Sequence, residues 1–254
     1  MSVSGKVALI TGAAQGLGRA FSEELLKKGA KVGLTDMNEE AGQATVSEFS
    51  TKYGQNKVFF MKCDVTSEAQ MEETFQTIKE RLGGLDIVIN NAGIGSEFNG
   101  WEKTVDVNVK GVLRGSMLAM EHMRRDKGGN GGVIINVSSM GGINPNPCGP
   151  VYSATKAAVL MYSLSWALNP ELTMNGLRIN ALAPSFVDTQ LYQGLSDQST
   201  IHVPQIAEKI IERVGIMTPQ SVAENMMELI EDQTKNGAVM KLSKVGGKEY
   251  HKLT

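Results

Sequence analysis

Tyr152 and Lys156 stand one helical turn apart in the run Tyr152-Ser153-Ala154-Thr155-Lys156, so on a helix their side chains share a face. A phenol is a poor base at its ordinary value near 10. An ammonium about 6 Å away, at an effective dielectric of about 20, favours the tyrosinate by roughly 3 kcal/mol, or about two pKa units. Burial pushes the other way. The expectation is that charge outweighs burial, giving a base accessible at about pH 8. Such a base suits the oxidation of a secondary alcohol, in which the hydroxyl proton is removed as a hydride leaves the carbinol carbon.

A hydride needs an acceptor, and the start of the chain offers a place for one. The run Lys6 to Thr11 leads into Thr11-Gly12-Ala13-Ala14-Gln15-Gly16-Leu17-Gly18, and a helical stripe follows. Glycines here allow a sharp turn and let backbone N–H groups approach a pyrophosphate at the helix N-terminus. Gly12, Gln15, Gly16, Leu17 and Gly18 are therefore candidate cofactor contacts, although the glycine spacing differs from GxGxxG. Asp36 closes the next strand candidate, where a carboxylate can accept hydrogen bonds from the adenosine ribose hydroxyls of NAD. A 2′-phosphate would meet that negative charge, with Gln15 and Met37 offering no compensating cation. NAD is expected over NADP. The plainer reading of Asp36 is an N-cap for a helix beginning near Asn38.

Positioning these groups requires a sheet. Strand candidates are Lys6 to Thr11, Lys31 to Asp36, Lys57 to Lys62, Asp86 to Asn90, Val133 to Ser138, Leu177 to Ala183 and Gly237 to Leu242. Most are apolar at consecutive positions, as strands covered on both faces are. Between them lie helical stripes such as Leu17 to Lys28, with Leu17, Ala20, Phe21 and Leu25 on one side. Alternation of this kind predicts right-handed crossovers and a parallel sheet. No linker, charge block or repeat interrupts it. The expected fold is a single α/β domain over residues 1–254, a doubly wound seven-stranded parallel sheet with helices on both faces.

Composition narrows the class. A net charge of −2 advertises neither nucleic acid nor an anionic membrane as partner. The two cysteines, Cys63 and Cys148, form no CxxC pair, so reduced thiols in the cytoplasm are expected, with no metal site. No apolar run is long enough to span a bilayer, and the first residues lack the pattern of a secretory signal.

Three further features follow in order: Asn90-Asn91-Ala92-Gly93, Ser138-Ser139, and the Tyr152 to Lys156 run. With the glycine turn they resemble the short-chain dehydrogenase/reductase family, over essentially the whole chain. GKVALITGAAQGLGRA, GGVIINVSS and ERVGIMTP are most similar to its NAD-dependent 15-hydroxyprostaglandin dehydrogenases. The resemblance implies a Rossmann fold and an NAD-dependent oxidation of a hydrophobic, lipid-like secondary alcohol. It implies four catalytic residues: Tyr152 as base, Lys156 beside it and on the nicotinamide ribose, Ser139 on the substrate oxygen, and Asn108 fixing a helix bend and a water. Ser138 ranks behind Ser139. Asp64 and Val65 would bracket the adenine, Asn91 would line the cofactor cleft, and Val187 and Thr189 would meet the nicotinamide carboxamide and diphosphate.

Two departures stand out. The family usually has glycine where this chain has Ser185, which implies weakened or slightly rearranged cofactor binding. Prostaglandin-oxidising members commonly carry a glutamine where this chain has Gly149, so that contact to the substrate hydroxyl is absent.

The stretch 190–213 is expected to form a substrate lid, with Leu191, Tyr192, Leu195, Ile201, Val203 and Ile206 available for its inner face; His202 within it reads as a surface residue. Met117, Met120, Met123, Met161, Leu164, Trp166 and Leu168 fall on helices near Trp101 to Arg125 and Pro150 to Asn169. Such stripes usually pack a core; by resemblance they form the seam of a homodimer, or of a tetramer. The alternatives are an NAD(H)-linked dehydrogenase or carbonyl reductase for steroids, retinoids or short alcohols, and a non-catalytic NAD-binding regulator. Each motif alone has a plainer reading, an exposed Tyr–Lys pair or a Ser-Ser turn. Their order, each after a strand of one sheet, argues for a site.

Overall fold

A computed structural model describes residues 2–98, 100–193 and 201–251. Strands and helices alternate from the start: β1 (Val7–Thr11), α1 (Gly16–Lys27), β2 (Lys31–Asp36), α2 (Glu39–Tyr53), β3 (Val58–Lys62), α3 (Glu68–Leu82) and β4 (Ile87–Asn90). Then come α4 (Trp101–Val105), α5 (Val112–Met123), β5 (Gly132–Val137), α6 (Pro150–Ala167), α7 (Pro170–Met174) and β6 (Leu177–Pro184). The chain continues through α8 (Gln190–Gln193), α9 (Pro204–Val214), α10 (Pro219–Glu231), β7 (Val239–Ser243) and β8 (Gly247–Tyr250).

The sheet order is β3-β2-β1-β4-β5-β6-β7-β8, and every pairing from β3 to β7 is parallel. The order reverses between β1 and β4, so the chain's first turn and the loop after β4 leave adjacent strands at the same edge. That is where open α/β sheets bind ligands. Consecutive strand residues serve opposite faces. Ala8, Ile10, Ile87, Ile89 and Ile135 pack with Phe21, Leu25, Phe49 and Met226 on one side. Leu9, Val88, Ile134 and Ile179 pack with Met71, Phe75, Ile78 and Met123 on the other. This two-sided burial accounts for the unbroken apolar runs.

Among the described residues the sheet has eight strands rather than the seven expected. β8 pairs antiparallel with β7, Met240 opposite Tyr250 and Ser243 opposite Gly247. Its sequence, Gly247-Lys248-Glu249-Tyr250, carries little apolar signal because one edge strand with charged side chains needs none. The single helix expected from Trp101 is also divided. Between α4 and α5 the backbone adopts a π-helical turn over Asp106–Gly111, with buried Asn108 inside it. Such turns lodge an extra residue in a helix and frequently mark functional sites. No helix among the described residues is long and apolar enough to cross a membrane.

Candidate active site

Gly12 occupies the left-handed region at φ +64°, and a Cβ there would lie 2.9 Å from the Cα of Ala92. Gly18 is restricted differently: a Cβ would lie 2.1 Å from the Gly12 carbonyl oxygen and 2.7 Å from Asn91 Nδ2. The turn is thus closed onto the loop after β4, and only glycine fits at either place. Asn91 makes the closure. Its amide donates to the carbonyls of Thr11 (2.9 Å) and Gly12 (3.0 Å), while its own N–H donates to Thr11 Oγ1 at 3.0 Å.

Gln15 is extended at the head of α1, no side chain caps that helix, and its first turn carries no acid. Backbone donors and a dipole left open in this way suit a diphosphate. Thr189 lies across from Gly16, where a Cβ would meet its Cγ2 at 3.3 Å. Leu17 is partly buried against the core.

Asp36 does not cap α2; Asn38 does, accepting from the Ala41 N–H at 3.1 Å. The Asp36 carboxylate accepts from the N–H groups of Ala14 (3.0 Å) and Asn38 (2.9 Å), one to each oxygen. It is fixed at the end of β2 beside the glycine turn, with acceptor capacity left on both oxygens for a ribose diol. Next to it, Cys63 N donates to the Asp36 carbonyl at 2.9 Å, which brings the residues after β3 alongside. Of these, Asp64 accepts from Thr66 N–H and hydroxyl. Val65 is buried and packs where a Cβ at Gly111 would intrude. An adenosine diphosphate fits this edge: glycines where a Cβ would collide, an uncapped helix start, and a carboxylate at the ribose position.

The proton-handling groups lie farther along the same edge. Lys156, 3% exposed, donates to the Val137 carbonyl at 2.9 Å and sits 5.6 Å from the centre of the Tyr152 ring. Ser138 is turned away, its hydroxyl donating to the Lys156 carbonyl at 2.7 Å. Ser139 lies against the Tyr152 phenol, and its hydroxyl accepts from the Gly141 N–H at 3.1 Å.

Burial dominates both titrations. It raises the Tyr152 phenol above its ordinary value, with the Ser139 hydroxyl acting in the lowering direction. It also lowers the Lys156 ammonium to about 8. The expectation that the ammonium outweighs burial is therefore corrected for the protein alone. Desolvation on this scale depends on packing that the helical spacing does not specify.

Asn108 is fully buried in the π-helical turn. Its Oδ1 accepts from Ile94 N at 2.9 Å, and its Nδ2 donates to Ile94 O at 2.8 Å and Thr155 Oγ1 at 3.1 Å. Thr155 in turn donates to the Tyr152 carbonyl at 2.7 Å. A Cβ at Gly93 would lie 3.3 Å from Lys156 Nζ and 3.4 Å from Asn108 Oδ1, so both polar groups border one point.

On the nicotinamide side, Val187 is buried and pairs with Met217 in an isolated parallel bridge. Among the described non-glycine residues only Val203 has positive φ, so Ser185 sits in ordinary backbone, its N–H donating to Leu242 O at 2.7 Å. The rearrangement expected from losing glycine there has no backbone cause.

Gly149 heads α6 without a side-chain cap. Leu191 approaches the cleft: a Cβ at Gly95 would lie 3.5 Å from Leu191 Cδ1 and 3.7 Å from Tyr152 Cδ2. Ile201 packs with Cys148 and Ala207, whereas Val203 and Ile206 are exposed; Leu195 lies outside the described residues. His202 is half-buried, its ring 4.5 Å from that of Phe98.

Glu97 escaped sequence reasoning. It is buried, and its carboxylate accepts from the backbone N–H groups of Val151 and Tyr152. An acid in a loop rich in glycine and polar residues carries no spacing signal.

The description of the short chain dehydrogenase family matches residues 6–200. The protein named 15-hydroxyprostaglandin dehydrogenase (NAD(+)) from Macaca fascicularis is 41% identical over 247 residues, 96% of this chain and 92% of that protein. Among solved structures, levodione reductase superposes with a TM-score of 0.82 at 29% identity, covering 94% of this chain and 96% of that one. A short chain dehydrogenase/reductase from Burkholderia phymatum in complex with NAD gives 0.80 at 26% identity, covering 92% and 88%.

Proposed function

This chain belongs to the short-chain dehydrogenase family, and on that footing we propose that it oxidises a hydrophobic, lipid-like secondary alcohol to a ketone with NAD. The observation that carries the reading is Tyr152 with the Ser139 hydroxyl against its phenol and the Lys156 ammonium 5.6 Å from its ring centre, on the same sheet edge as the glycine turn and Asp36. The lipid-like character rests on the similarity to 15-hydroxyprostaglandin dehydrogenases and on Leu191 beside the cleft.

Gly12, Gln15, Gly16, Leu17 and Gly18 would hold the diphosphate, Asp36 the adenosine ribose, and Asp64 and Val65 the adenine, with Asn91 lining the cleft. Val187, Thr189 and Lys156 would hold the nicotinamide end. When bound, NAD supplies the hydride acceptor and a positive ring. Tyr152 takes the hydroxyl proton through its phenolate oxygen. Ser139 donates to the substrate oxygen as negative charge develops there. Lys156 stabilises the phenolate, and its cation and the cofactor's together oppose the burial that keeps the phenol protonated. Asn108, through Ile94 and Thr155, holds the loop after β4 and α6 in one arrangement. Of the lid expected over 190–213, residues 190–193 and 201–213 would border the alcohol, and the remainder lies outside the described residues.

We assign the working form as a cytoplasmic homodimer. Its support is the division of the methionine stripes: Met120, Met123 and Leu164 are buried, while Met117 and Met161 are 58% and 61% exposed.

The test is a panel of secondary alcohols of graded apolarity with NAD and with NADP, followed by absorbance of the reduced nicotinamide. NAD is expected to be preferred at least about tenfold, or about 1.4 kcal/mol. A preference for NADP, or no turnover of any alcohol, would overturn the reading.

A further inference from the structure

Glu97 is buried and has no cation within the ion pairs of the described residues. Asp86, the other buried acid among the described residues, is paired with Lys6 at 2.7 Å. A buried carboxylate is costly without compensation. Here the compensation comes from α6: Glu97 Oε2 accepts from Val151 N at 2.8 Å and Oε1 from Tyr152 N at 2.7 Å. These are charge-assisted bonds placed at the positive end of an 18-residue helix.

The direction of the contact matters. A helix start is ordinarily capped by its own Ser, Thr, Asn or Asp. Such a cap stabilises the helix but says nothing about where the helix stands. In α6 the cap position is Gly149, which offers no side chain, and the acceptor arrives from the loop between β4 and α4. That loop is itself tied down. Ile94 is held by Asn108 in the π-helical turn, and Ser96 exchanges hydrogen bonds with Thr104 of α4, at 3.1 Å to its N–H and 3.0 Å to its carbonyl. Residues 94–97 therefore join α4, the π-helical turn and the first turn of α6. The last tie ends on the backbone of Tyr152 itself.

We propose that Glu97 is a positioning residue: its carboxylate sets the place of Tyr152 relative to Ser139 and to the loop after β4, and so sets the reach of the phenol to the alcohol. It rests on the alcohol-oxidising reading above. Displacing a reacting group by about 1 Å can cost about 100-fold in rate.

The experiment compares Glu97→Ala and Glu97→Gln with wild type, and with Asn169→Ala as a control. Asn169 caps α7, beyond the far end of α6, by accepting from Glu171 N at 2.9 Å. Glu97→Ala is expected to lower kcat about 10- to 100-fold with KM for NAD within about twofold, and to speed amide exchange at Val151 and Tyr152. It should also enlarge the primary isotope effect with carbinol-deuterated alcohol. Glu97→Gln keeps one acceptor and should recover part of kcat; it also serves if the alanine variant fails to fold. Asn169→Ala should lower Tm with kcat unchanged. The proposal is overturned if kcat of both Glu97 variants stays within about twofold of wild type, or if glutamine recovers nothing. A wild type with no NAD-linked turnover would instead sink the functional reading.

Discussion

The Lys156 ammonium lies 5.6 Å from the centre of the Tyr152 ring, and burial moves the two groups in opposite directions, the phenol up and the ammonium down to about 8. Each shift disfavours the charged form. A phenolate beside an ammonium is thus not the resting state of the protein alone. The positive charge of a bound oxidised nicotinamide would act against burial at the phenol, favouring the phenolate.

Proton abstraction by Tyr152 predicts a rate that rises with pH. The base acts when deprotonated, so at saturating NAD kcat/KM should climb through the value of the cofactor-bound phenol and then level. That midpoint should fall below the free-protein value, because bound NAD adds positive charge. Tyr152→Phe should reduce kcat by about 1000-fold or more while the dissociation constant for NAD stays within a few-fold; general base catalysis alone contributes 100- to 10,000-fold. Fluorescence titration and initial rates from about pH 6 to 10 check both. Near-normal turnover by the variant would remove Tyr152 from its role.

Lys156 makes a stability prediction of definite sign. Its folded value of about 8 lies below the ordinary lysine range, so the unfolded chain binds more protons between the two values. Stability of the wild type should therefore rise with pH across that window, beginning above about 8. Lys156→Met lacks the buried cation and should be more stable than wild type near pH 7, by up to about 3 kcal/mol. The advantage should shrink as pH approaches 10. Urea unfolding of both proteins at several pH values gives the comparison. A variant less stable at pH 7 would mean that the Val137 hydrogen bond outweighs the desolvation of the ammonium.

The part of this site legible in the sequence is the part written locally. Tyr152 and Lys156 share a helical face, Gly12 and Gly18 punctuate one turn, and apolar runs announce strands covered on both sides. What depended on distant packing was not legible. Glu97 meets the Tyr152 backbone from another loop, and the π-helical turn around Asn108 has no composition of its own, so that residue was reached through family resemblance alone. The pKa directions followed burial that i,i+4 spacing does not encode. β8 was missed because an edge strand of Lys, Glu and Tyr has little apolar surface to repeat. At Ser185 the backbone stays out of the left-handed region, so of the two grounds for expecting altered cofactor binding only the closeness of approach is left.

Asp36 should govern the choice of cofactor. Its carboxylate is aligned by Ala14 and Asn38 N–H groups beside the glycine turn, with no cation near Met37 in sequence to receive a 2′-phosphate. Asp36→Ala should raise KM for NAD about tenfold or more, since charge-assisted hydrogen bonds to the ribose are lost. Adding Met37→Arg should bring kcat/KM with NADP to or above that with NAD. An unchanged ratio in the double variant would place the ribose elsewhere.

The exposed methionines test assembly. On α5 and α6 the buried residues Met120, Met123 and Leu164 serve the core, and Met117 and Met161, each three residues before a buried one, flank that stripe with exposed apolar side chains. Two large apolar side chains on neighbouring helices gain by covering each other in a second copy. A stable interface of about 800 Å² per partner cannot accommodate a carboxylate at its centre without desolvating it. Met161→Glu should therefore convert the protein from dimer to monomer, read by sedimentation velocity at micromolar concentration. Its Tm should fall by no more than the loss of the dimer accounts for, because Met161 contributes nothing to the monomer core. A variant that sediments as wild type does would leave this face free of any subunit contact.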